Sequence, residues 1–238
     1  MTHNQHLKLT MAFFDFLSTK PTDEKLTKKL VEYVYNSIQS KKGVRVEDAL
    51  CVMATIVAER CIELANDFSI NEHNFEPGSA IFSDKINEIL VGPISMENWN
   101  ELPNDCVFAK IKDKINSHFD DKSFPSLTGI FKSYAKNAGE TEWGNLSLTI
   151  PEDNKPSFLP LQAGYETRKF VDKNINLENN EKTLQIAINA IARILIETKM
   201  ALDSSIALTL TFEIINGMAK TATMTDKKMD ELKKAIEK

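Results

Sequence analysis

The chain has 238 residues, 42% of them hydrophobic and 26% charged, enough for a sizeable core that needs neither disulfide nor metal. Its 34 acidic residues outnumber 29 basic ones for a net charge of −5, spread without a long single-sign block, so the surface repels nucleic acid and none is expected as a partner. Glycine is scarce, with 8 in the whole chain, against a usual share of roughly 7%, and helices explain that economically.

The opening Met1-Thr-His-Asn-Gln-His6 lacks the basic start and small-residue cleavage site of a secretory signal, which points to a cytoplasmic protein. Leu7, Met11, Phe14 and Leu17 predict a short first helix over 7–18. After Pro21, Asp23 and Glu24 favour a new helix start, and Leu26, Leu30, Tyr33, Val34 and Ile38 form one stripe that ends before Gly43.

From Val46 to Phe68 apolar residues recur at intervals of three and four, with Ile56 and Ile62 widening the face. The helix they predict is wetted only on a narrow strip carrying Glu59, Glu63 and Asp67. On that reading Glu59→Ala should be nearly silent. Cys51, Cys61 and Cys106 contain no Cys-x-x-Cys pair. Two of them, ten residues apart on this helix, sit about 15 Å from each other, too far to bridge, so free buried thiols are expected.

Ser69 to Ser83 breaks the periodicity at Pro77-Gly78 yet carries large apolar groups, the mark of an ordered loop. Ser83 then caps a helix that stops at Gly92-Pro93. Beyond Trp99 and Pro103, Phe108, Ile111, Ile115 and Phe119 align on one helix. Leu127, Ile130, Phe131, Tyr134 and Ala138 align on another.

Leu146, Leu148 and Ile150 alternate with Ser147 and Thr149 as a strand would. With Pro151, Pro156 and Pro160 they mark an extended or hairpin connection over 144–164, between an N-terminal helical half, 1–143, and a C-terminal one, 165–238. The two halves are read as parts of one compact domain. In the second, Tyr165–Ile175 is helical, Asn180 caps a long helix through Leu202, Asp203 caps another through Ala222, and Met229, Leu232 and Ile236 hold a charged terminal helix. The apolar pair over 181–222 is expected at the centre of the core. Residues 47–63 and 181–197 share five identities at equal offsets, which two buried helices of like composition acquire by chance.

The fold class is therefore all-α: a multi-helix bundle around that central pair, with at most a minor β-hairpin. No membrane span is expected, because Arg193, Glu197, Lys199, Asp203 and Glu213 punctuate the most apolar region.

Enzyme signatures are absent from the pattern. There is no Glu-x-x-His pair, no Gly-x-Gly-x-x-Gly, no Gly-Lys-Ser/Thr and no Gly-x-Ser-x-Gly, so no cofactor, metal or catalytic residue is assigned. What stands out is acid beside large aromatic rings in loops: His73, Phe75 and Glu76; Trp99; and Glu142 with Trp143. These are the candidate binding residues. They favour a non-enzymatic interaction protein of the adaptor, regulatory or inhibitor kind, with an enzyme or small-ligand sensor holding a pocket between helices as the alternative. A homodimer is expected as well, since both faces of 204–222 are apolar and one would otherwise face water.

Overall fold

The computed structural model describes residues 21–66, 70–81, 83–93, 98–137, 146–175 and 179–236. The helix expected over 7–18 lies outside them, as do Phe68, Asp67, Glu142 and Trp143. Among the described residues the chain is all-α, as its periodicity predicts: α1 (Asp23–Ile38), α2 (Val46–Asn66), α3 (Asp84–Val91), α4 (Val107–Ile115), α5 (Leu127–Asn137), α6 (Pro160–Asn174), α7 (Asn180–Thr198), α8 (Ser204–Met218) and α9 (Asp226–Ile236).

Local chemistry explains where these helices begin. Thr22 Oγ1 accepts from the Lys25 amide at 3.3 Å at the head of α1, and Ser83 Oγ accepts from that of Ile86 at 3.0 Å at the head of α3. Asp203 Oδ1 takes the amides of Ser205 and Ile206 at 2.9 and 3.2 Å. Asn179 rather than Asn180 caps α7, accepting from Lys182 at 3.0 Å. Pro160 opens α6, five residues before the expected Tyr165, because proline at a first helical position gives up an amide that would go unbonded anyway. Gly92, at φ +81°, ends α3 in a left-handed turn.

The expected hub shifts. The α7 and α8 pair is buried as the sequence suggests, with Ile191, Leu195, Phe212 and Ile214 fully covered, but α2 packs against both of them and against α6. Every residue of α2 from Glu47 to Glu63 is buried. Around this centre α1 and α4 lie on α7, and α5 lies on α8. Both apolar faces of α8 are covered by this chain's own helices: Leu208 and Phe212 on one side and Leu210 and Met218 on the other are each 0% exposed. The area argument for a second subunit therefore lapses.

The Leu146–Ile150 stretch has no regular secondary structure, and no strand is present among the described residues. Its polar backbone finds a side chain instead of a sheet edge: Glu213 Oε2 and Oε1 accept from the Thr149 amide at 2.8 Å and from its hydroxyl at 2.6 Å. Alternation of leucine with serine and threonine arises here because one side lies on α8 and the other faces outward. The terminal helix also departs from expectation. Leu232 is 38% and Ile236 83% exposed, and α9 buries none of its residues. All three thiols are free and buried, with burial pushing Cys61 up to about 12.

Candidate functional site

Acidic residues four apart on one helix face ordinarily meet water. On α2 they do not: Glu59 is 1% and Glu63 5% exposed, so these two residues of the expected wetted strip are internal. The reason is a pair of arginines that the apolar spacing conceals. Arg168 of α6 grips both oxygens of Glu59, through Nη2 at 2.7 Å and Nε at 3.4 Å, and its Nη1 donates to the Met224 carbonyl at 2.5 Å. Arg60 Nη1 lies 2.8 Å from Glu63 Oε2 and 3.3 Å from Asp172 Oδ1. Burial raises the Glu63 and Asp172 carboxyls above their usual range, against the pull of Arg60.

This network fixes how closely α6 can approach α2. A Cβ on Gly164 would lie 2.5 Å from Glu59 Oε1 and 3.0 Å from Thr55 Cγ2. With its carboxylate held, Glu59 has no free rotamer to retreat into. Gly164→Ala is accordingly expected to destabilise by about 1–3 kcal/mol through overpacking, reversing the usual helix gain of alanine over glycine. Chemical denaturation reads this, and a raised midpoint would show that α6 can slide.

The loop bearing His73, Phe75 and Glu76 is clipped to the segment before α9. The Gly78 amide donates to Ala222 O at 2.7 Å, the Ala222 amide to Ser79 O at 2.8 Å, and that of Ile81 to Lys220 O at 2.7 Å. His73 Nε2 pairs with Thr223 Oγ1 at 3.4 Å, and burial followed by the nearby Arg168 charge lowers its pKa. Glu76 takes Lys228 of α9 as its partner, while the Phe75 ring is 51% exposed beside them.

Trp99 belongs to a different cluster. Its indole N–H donates to the Pro125 carbonyl at 2.7 Å, and its ring meets Phe108, Phe124 and Phe212 with centroids 5.8, 5.1 and 4.7 Å away. It covers the aromatic end of the core against α8. Glu142 and Trp143 lie outside the described residues. The structure thus brings three of the candidate side chains together in one loop and sets Trp99 apart.

A concave site lies elsewhere, between α2, α3, α4 and α7. Leu64, Val107, Leu184 and Ile188 form the apolar floor of a pocket of about 490 Å³. Around its rim stand Lys85 and Glu88 of α3, Asp105 and Lys110 flanking the start of α4, and Glu181 in the first turn of α7. None of these five forms an ion pair among the described residues. Sequence reading misses the site because Lys85-x-x-Glu88 looks like any solvated helix face. Only the packing of α3 and α4 on α2 and α7 gathers these charges over an apolar floor.

Among the described residues no group of three or more His, Cys, Asp or Glu converges in a metal-holding arrangement, and no helix is long and apolar enough to cross a membrane. Compared with known protein families, with curated proteins and with solved structures, the chain matches none.

Proposed function

We propose that this chain is a small-molecule-binding protein whose site is the pocket between α2, α3, α4 and α7. One observation carries the reading: about 490 Å³ of concave space with an apolar floor and, at its rim, charges that form no ion pair among the described residues, the size and composition of pockets that enclose small ligands. One feature that favoured an interaction protein has meanwhile turned inward, since the Trp99 ring packs against Phe212 of the core.

A thermal-shift screen of soluble metabolites tests this, run on the wild type and on Ile89→Trp. Ile89 is half-buried and lines the pocket, so an indole there fills it without entering the core. At least one compound should raise the melting temperature of the wild type and leave Ile89→Trp unmoved. Compounds that shift both proteins equally, or none that shifts either, would reject the pocket.

A second reading, an adaptor, regulatory or inhibitor protein, rests on the uncovered Leu232 and Ile236 of α9 and the exposed Phe75. Lys228, one turn before Leu232, pairs with Glu76, so the helix stripe and the Phe75 ring share one side of the molecule. That surface would take a protein partner or a second copy of the chain. Light scattering at micromolar concentration, with Leu232→Asp as the control, separates the two.

A further inference from the structure

The arrangement of charge around the pocket narrows the ligand to one class, and this step rests on the pocket being the binding site. On α3, Lys85 and Glu88 are three residues apart and therefore share a face. At α4, Asp105 and Lys110 again place both signs on one wall, while α7 offers Glu181 alone. A ligand of a single sign would meet a like charge on both the α3 and the α4 walls. A neutral one would leave charged groups facing an apolar body, with their hydration disturbed and nothing in exchange.

We infer that the pocket takes a small zwitterion with an apolar body, an aliphatic amino acid or a short aliphatic peptide. The ammonium end faces Glu88, Asp105 and Glu181, and the carboxylate end faces Lys85 and Lys110. The aliphatic part lies on Leu64, Leu184 and Ile188. Formal charge in the rim is one negative in excess, three carboxylates against two ammonium groups, so the amine is the more strongly held end and its loss costs more than loss of the carboxylate. The buried apolar floor excludes polar side chains from that part of the ligand.

Calorimetric titration of the full chain tests the assignment with five probes. L-leucine and L-leucyl-L-leucine are the two zwitterions. Isoamylamine lacks the carboxylate, 4-methylpentanoate lacks the amine, and 4-methylpentanol carries neither charge. At least one zwitterion should bind about tenfold or more tightly than any of the three analogues, the equivalent of one charge contact of about 1.4 kcal/mol. Glu88→Gln and Lys110→Met, both on the solvent side of the pocket, should each weaken that zwitterion several-fold and leave 4-methylpentanol unaffected.

Equal or tighter binding of a singly charged analogue, or of 4-methylpentanol, would overturn the zwitterion while leaving a ligand pocket in place. Binding of none of the five, in wild type and Ile89→Trp alike, overturns it too. The metabolite screen then decides the pocket separately, because a hit outside this class keeps the site and discards only the ligand.

Discussion

Arg168→Ala is expected to cost about 3–5 kcal/mol of folding stability, because it strands a carboxylate that has no route to water. Glu59 is 1% exposed and receives two of its hydrogen bonds from Arg168, itself 3% exposed. Arg60 stands 3.8 Å from Glu59 Oε2 and is already engaged by Glu63 and Asp172, so it cannot replace the lost fork. Glu59→Ala should be damaging for the converse reason, contrary to the silence a solvated strip would give. The double replacement Glu59→Met with Arg168→Met should recover most of the loss, since a buried pair exchanged for apolar side chains is often neutral or better. Urea denaturation of the three proteins measures this. A loss below about 1 kcal/mol for Arg168→Ala would mean that water reaches Glu59.

How much of this was legible in the chain differs by level. Caps and stripes are local, so Ser83, Asp203 and the apolar runs of α2, α7 and α8 could be read directly. Which charges lie inside could not, because Arg168 meets Glu59 across 109 residues of sequence. A lone arginine in Tyr165–Asn174 carries no sign of its partner. The pocket was hidden for the same reason, since α3, α4 and α7 each look ordinary alone. The Leu146–Ile150 alternation shows the opposite failure: a period of two reports one side covered and one side open, and a chain laid along α8 satisfies it without a sheet.

A second large effect should appear with pH at Lys220. Its side chain is 4% exposed, with Nζ 2.6 Å from Asn216 Oδ1 and 3.9 Å from the centre of the Phe131 ring. Burial lowers its pKa from 10.5 to about 7. The unfolded chain therefore holds a proton on Lys220 between about pH 7 and 10.5 that the folded chain has released. Stability contributed here rises with pH through that window, by at most about 1.4 kcal/mol per pH unit, and is level below it. The ring and Asn216 both favour the charged amine and oppose the effect of burial, which narrows the window without changing the slope inside it. Lys220→Met should be the more stable protein at pH 7 and should flatten the dependence, with the difference closing as the pH nears 10.5. Denaturation midpoints at pH 7, 8.5 and 10 would show it, and parallel curves for the two proteins would place the amine in contact with water.

The central position of α2 also sets a problem of timing. The helix leaves the ribosome before the surfaces that cover it, because α6 begins only at Pro160 and α7 and α8 lie beyond it. Until they arrive, an apolar helix of 21 residues has exposed sides and its carboxylates lack Arg168. Contacts so distant in sequence slow folding and leave the nascent chain open to wrong associations. A growing chain of this design carries α2 uncovered until α6, α7 and α8 follow it.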